Sequence, residues 1–143
     1  MADPHPGSTA PTPLRVVVYS DDRTTREQVR LALGSRVAVD LPPVALVEVA
    51  TQVALVNAVD AGGVDLVVLD GEATPAGGLG MARQLKDEVA KCPPLLVLVA
   101  RQQDAWLATW SGADAALAYP LDPVRLPEVA AGLLRASLAG TGS

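Results

Sequence analysis

Phenylalanine and isoleucine are absent from this chain, and tryptophan, tyrosine and methionine appear twice each, so its apolar half is built almost entirely from alanine, valine and leucine. Each large aromatic side chain therefore stands out. A single cysteine, Cys92, excludes an intramolecular disulfide and with it the small secreted scaffolds that depend on such bonds. A cytoplasmic setting is the expectation. The one histidine, His5, has no ligand residues near it in sequence and points to no metal site. No apolar run approaches the roughly 20 residues that span a bilayer. The stretch from Met1 to Pro13 has neither the basic patch nor the apolar run of a signal peptide, so no membrane insertion is expected. Basic residues number 11 against 16 acidic, a formal charge of −5. The basic stripe that marks phosphate-backbone binding is missing, and nucleic acid is not an expected partner.

What is present is enough for one folded domain. The 143 residues match a single unit at about 150 residues per domain, and 50% hydrophobic content exceeds what a disordered chain carries. Residues 1–13 are rich in Pro, Gly, Ser and Thr and are expected to form a disordered tail. Residues 14–136 form the domain, and 137–143 a flexible C-terminal tail. Within the domain, Val16-Val17-Val18-Tyr19 is a β-branched run suited to a strand covered on both faces. Thr24 and Glu27 have capping-box spacing for a first helix, which Gly34 stops. Strands are expected at Ala45 to Ala50, Asp65 to Asp70, Leu95 to Ala100 and Ala115 to Tyr119. Helices are expected after Thr51 with Val53, Val56 and Val59 inward, around Met81, Leu85 and Val89, across Trp106 and Trp110, and around Leu126, Val129, Ala130 and Leu133. Pro127 falls in the first turns of the last helix, where a missing amide hydrogen costs least. The connection from Ser35 to Pro43 is longer than an α/β unit needs.

Five strands alternating with five helices require right-handed crossovers, a parallel sheet and helices on both faces. In such sheets the binding crevice lies beyond the carboxyl ends of the strands. Ser20, Asp21, Asp22, Asp70, Glu72, Val99 and Ala100 should gather there.

An acidic pair after the first strand, Asp70 closing the third with a Gly-rich loop behind it, and Gly112-Ala113-Asp114 before a strand ending in Tyr119-Pro120 together resemble a response-regulator receiver domain. The likeness covers about Arg15 to Arg135, with Gly78 at the family's usual glycine. It implies the CheY-like, flavodoxin-like α/β fold: a doubly wound five-stranded parallel sheet of order 2-1-3-4-5. It also implies a cis Tyr119-Pro120 bond, a role in two-component signalling, and a histidine kinase and other proteins as partners. By the same resemblance Asp70 matches the phosphoacceptor, and Asp21, Asp70 and Glu72 match the Mg²⁺-binding positions, with Asp22 able to add charge. Four positions depart from the family pattern. Ser20 stands where the first acid belongs, Val99 at the fourth-strand Thr or Ser, Ala116 at the switch aromatic, and Tyr119 at the Lys before the Pro. Neither Val99 nor Tyr119 is expected to do the work of the residue it replaces.

An atypical, stand-alone receiver follows, acting through protein contact and not as an enzyme, with weak Mg²⁺ binding or a raised carboxylate pKa in its crowded acidic pocket. Trp106 and Trp110 share a helix face. A core role is the ordinary expectation for Trp106, whereas Trp110 matches an outward position beside the face of helix four, strand five and helix five that the family uses for partners. Both are candidate contact residues. Cys92, before two prolines, is expected to be half-buried and inert. Gly77, Gly78 and Gly80 make no phosphate-loop fingerprint and look like loop permissiveness. Two alternatives stay open. One is conventional phosphorylation of Asp70. The other is a phosphatase of the haloacid dehalogenase type, hinted at by Asp70-Gly71-Glu72-Ala73-Thr74 but placed on the wrong strand. The Arg-rich, Lys-poor usage suits a high-GC bacterium.

Overall fold

A computed structural model of the chain describes residues 12–74 and 76–140. The expected tails lie largely outside them, as does His5. Five strands alternate with five helices: β1 Leu14–Tyr19, α1 Arg23–Leu33, β2 Val44–Val49, α2 Gln52–Asp60, β3 Leu66–Asp70, α3 Gly78–Glu88, β4 Leu95–Val99, α4 Ala105–Trp110, β5 Ala115–Ala118 and α5 Arg125–Gly140. The strands form one parallel sheet of order β2-β1-β3-β4-β5. Because side chains alternate across a strand, the sheet feeds two cores. Val17, Tyr19, Val67, Leu69, Val97 and Val99 pack with Leu55, Met81, Leu85 and Ala108 of α2, α3 and α4. Val16, Val18, Leu66, Val68, Leu96 and Leu98 pack with Val29, Leu33, Leu126, Ala130 and Leu134 of α1 and α5. Among the described residues no helix is long and apolar enough to cross a membrane.

Local details differ from the sequence expectation for physical reasons. Asp22, not Thr24, caps α1: its carboxylate accepts from the Thr24 amide at 2.8 Å, and the helix opens at Arg23. Thr51 caps α2 as expected, but the inward face is Leu55 and Val59, one turn apart. Val53 is 68% exposed, since two residues rotate it about 200° from Leu55. The helix bearing the tryptophans is only six residues long and follows a 3₁₀ turn, Gln102–Asp104. Trp106, for which a core role was the ordinary expectation, is 65% exposed and Trp110 69%, because the core contact of so short a helix is made by Ala108. α5 continues to Gly140, past the boundary expected at 136.

The long connection between α1 and β2 is folded onto the body of the domain. Leu41 is buried, Val44 donates to the Ser35 carbonyl at 2.8 Å, and Arg36 donates to the Leu41 carbonyl at 2.7 Å. Arg135 of α5 grips Asp40 with two parallel bonds of 2.8 and 2.7 Å. That guanidinium holds the Asp40 carboxyl down at about 2. A carboxyl depressed in the folded chain stabilises it above the unfolded carboxylate's pKa of about 4 and loses that contribution as pH falls through the folded value. Asp40 should therefore titrate near pH 2 in an NMR series and return toward about 4 in Arg135→Ala. In the sheet itself, Leu96→Ala, at a fully buried position, should cost about 2–5 kcal/mol in chemical denaturation.

Candidate functional site

The carboxyl edge of the sheet brings together the ends of β1, β3 and β5. Asp70 closes β3 and is 4% exposed. A carboxylate so placed is stable only if its oxygens find donors, and three converge on it. The Ser20 hydroxyl donates to Oδ2 at 2.7 Å, the Tyr119 hydroxyl to Oδ1 at 2.8 Å, and the Glu72 amide also to Oδ1 at 2.9 Å. Ser20 is itself fully buried. Its Oγ accepts from the Asp22 amide at 3.0 Å, which leaves its only hydrogen for Asp70. Arg26 of α1 steadies this corner by donating to the Ser20 carbonyl at 2.7 Å and to Glu48 of β2 at 3.1 Å.

Tyr119 brings no positive charge, but its hydroxyl reaches the Asp70 carboxylate. Its phenol is pushed far above the ordinary range by burial first, then by the bond to Asp70 and by the negative charges of Asp70, Glu72 and Asp22. Its backbone is anchored by donation to the Val99 carbonyl at 2.9 Å, and the bond to Pro120 is cis, as the resemblance implied. Val99 is buried, and Ala116 is partly buried against the core on the α3–α4 side.

Asp21 takes a different course. Its Oδ1 accepts from the Thr74 amide at 3.0 Å and its Oδ2 from the Thr74 hydroxyl at 2.9 Å. These two bonds hold its carboxyl below the usual range, with a smaller contribution from Arg26, so the raised carboxylate pKa considered from sequence is not found at Asp21. Asp21 and Asp70 do share one end of the molecule, since both charges raise the pKa of the Tyr19 phenol, although burial does so more. Tyr19 spans the same edge by donating to the Ala76 carbonyl at 2.5 Å. The Mg²⁺ implied by the resemblance does not suit this arrangement. Both oxygens of Asp70 and both of Asp21 face neutral hydroxyl and amide donors, and among the described residues no three His, Cys, Asp or Glu side chains group to hold a cation. Asp22 caps α1, and Glu72 contributes an amide hydrogen.

Two glycines make the site possible. A Cβ at Gly78 would lie 2.7 Å from the Asp70 carbonyl oxygen, and one at Gly71 would lie 2.6 Å from the Leu98 carbonyl oxygen. Gly78 is thus a close-approach position and not mere loop permissiveness, whereas Gly80 faces open space. Sequence reasoning missed Gly71, Thr74, Tyr19 and Arg26. The available signals were a hydroxyl four residues beyond Asp70, a glycine directly after it, and an aromatic closing the first strand. Away from the site, the Cys92 thiol is half-buried and burial raises its pKa, which fits an unreactive group.

The tryptophan pair belongs to another surface. The Arg83 guanidinium lies 5.5 Å from the Trp110 ring centroid. Leu79, Gly80, Arg83, Leu107, Trp110 and Ser111 line a cavity of about 280 Å³ between α3 and α4. Trp110 is thus outward, as expected, and lies against α3 through Arg83.

No family model matches the chain. Among solved structures it is similar to a putative response regulator from Chloroflexus aurantiacus, at TM-score 0.72 and 18% identity over 87% of this chain and 99% of that one. It is also similar to the BeF3-activated DrrB receiver domain, at TM-score 0.66 and 20% identity over 87% and 99%. The strand order and these likenesses define the receiver fold. Proteins from two strains of Mycobacterium tuberculosis, each named an uncharacterized response regulatory protein, are 55% identical over 125 residues, 87% of this chain and 94% of theirs. The chain belongs to the response-regulator family, as a receiver domain of two-component signalling.

Tyr119→Phe removes a hydroxyl from a buried carboxylate and should cost about 1.5–3 kcal/mol in urea denaturation. Gly78→Ala should destabilise comparably, by about 1–3 kcal/mol, because backbone must shift, while Gly80→Ala should be neutral or slightly stabilising.

Proposed function

We propose that this receiver signals through protein–protein contact without the conventional phosphorylation switch, and that it is a regulator and not an enzyme. The observation that carries this reading is the state of Asp70: its carboxylate is already bound by Ser20 and Tyr119. Where the family resemblance places a hydroxyl and a cation to grip a phosphoryl group, this chain offers Val99 and an uncharged phenol. Hydrogen bonds to charged groups contribute about 1.5–3 kcal/mol each, so the hydroxyl missing at Val99 removes about that much coupling, and the phenol of Tyr119 offers a neutral donor in place of a cation. Moving a two-state equilibrium from 1:99 to 99:1 takes about 5.5 kcal/mol. The loss is therefore a substantial share of the switch itself. Ala116, in place of an aromatic, also leaves strand five with no aromatic side chain to reorient. Any Mg²⁺ at this edge is weak, since it must compete with the donors already there. The phosphatase alternative gains nothing, because Glu72 meets Asp70 through its amide.

Response regulators work through histidine kinases and other proteins, and the exposed Trp106 and Trp110 are the contact residues we assign here. Since Trp110 faces α3, the surface includes the α3–α4 edge. The negative net charge continues to argue against nucleic acid, and a cytoplasmic location suits a partner-binding receiver.

With acetyl phosphate or fluoroberyllate and Mg²⁺, NMR amide shifts along α4 and β5 should stay in place, matching an Asp70→Asn control. A concerted shift absent from the control would establish the conventional switch instead. Trp110→Ala should abolish capture of the partner protein while changing stability by no more than about 1 kcal/mol, the worth of an exposed cation–π contact. Undiminished capture would remove Trp110 from the interface.

A further inference from the structure

We infer that Ser20 and Tyr119 form a hydroxyl clamp that keeps the phosphoacceptor carboxylate in place without a divalent cation, so that this receiver's acid site excludes Mg²⁺ until the clamp is broken. The inference deepens the function proposed for Asp70 and rests on it in treating the carboxylate as a group that no phosphoryl transfer has to engage.

The geometry supplies the reason. Ser20 stands at the end of β1 and Tyr119 directly after β5, so they reach Asp70 from opposite sides of β3. One hydroxyl is bound to each carboxylate oxygen, at 2.7 and 2.8 Å. The direction of the Ser20 hydrogen is fixed, because its oxygen already accepts from the Asp22 amide. Tyr119 cannot withdraw easily, since its amide is tied to the Val99 carbonyl. Mg²⁺ requires near-octahedral oxygen ligation and usually enters with one or two carboxylates and several waters. Here three of the roughly four lone-pair sites of Asp70 already face hydrogens, inside a pocket where Asp70 is 4% exposed and Ser20 fully covered. The second acid is also committed, with both Asp21 oxygens on Thr74. A serine where an acid would add charge, and a neutral phenol where a cation would sit, thus serve one end. They satisfy a buried negative charge with donors that neither attract a metal nor depend on one.

The test uses the full chain, Mg²⁺ alone with no phosphodonor, and NMR detection of the Glu72 and Thr74 amides, which report on Asp70 and Asp21. In the wild type these amides should show no saturable shift through the millimolar range. The double variant Ser20→Asp, Tyr119→Phe removes one of the two donors on Asp70 Oδ1 and adds a carboxylate beside Oδ2. It should show a saturable response, with apparent affinity at least about tenfold tighter than any in the wild type. Should the double variant lose its dispersed spectrum, the single variants Ser20→Ala and Tyr119→Phe decide the matter. Each should speed hydrogen exchange of the Glu72 amide about tenfold as the carboxylate it bonds loosens. Wild-type saturation as tight as that of the folded double variant, or unchanged Glu72 exchange in both single variants, would overturn the clamp. Because no phosphodonor is present, these outcomes are separate from the one that tests the phosphorylation-independent function.

Discussion

A negative charge buried at the carboxyl end of the central strand is the constraint to which the rest of this edge is adjusted. Leaving Asp70 unpaired would cost several kcal/mol, and the chain meets that demand from three directions at once. A hydroxyl comes from the end of β1, another from just beyond β5, and an amide from the loop that follows Asp70 itself. Satisfying one carboxylate therefore fixes the relative positions of three segments far apart in sequence. The two close-approach glycines serve the same end, since the loop can fold back over Asp70 only where no Cβ intervenes.

The choice of donors has consequences for signalling. A cation near a carboxylate contributes long-range attraction and responds strongly when a phosphoryl group is added, whereas a neutral hydroxyl contributes a short, directional bond and little beyond it. Under the proposed function, Ser20 and Tyr119 in place of charged groups preserve the architecture of the edge while weakening its response to added charge. Asp21 follows the same logic. Its charge remains exposed, and Thr74 ties it to the loop after β3. The corner is ordered by hydrogen bonds within the protein.

If the acid edge is quiet, information has to pass through surface contact, and the chain concentrates its few large aromatic side chains accordingly. The two tyrosines are spent on the edge itself, Tyr19 and Tyr119 each donating a hydroxyl there. The two tryptophans lie exposed on the short α4, one of them beneath Arg83. An aromatic ring with a guanidinium across it offers a partner both apolar area and charge, the combination common in protein interfaces.

Most of the scaffold was legible in the sequence because its signals are local. Runs such as Val16 to Tyr19 and Leu95 to Val99, the cap at Thr51 and the stop at Gly34 depend on neighbours a few residues away, and strand–helix alternation then leaves little freedom in topology. Asp70 and its companions at the sheet edge were equally accessible, since strand ends in a parallel sheet meet at one side. Where two local signals competed, only the packed structure chose, as with Asp22 over Thr24 at the start of α1 and Leu55 over Val53 inside α2. The partners of Asp70 were beyond reach for a different reason. Ser20 and Tyr119 lie 50 and 49 residues from it along the chain. Whether their hydroxyls point at the carboxylate is set by strand register and side-chain rotamer, which periodicity does not encode. Composition and pattern determined a doubly wound parallel sheet with an acid at its edge, a motif resemblance pointed to the receiver, and tertiary packing alone decided what that acid holds.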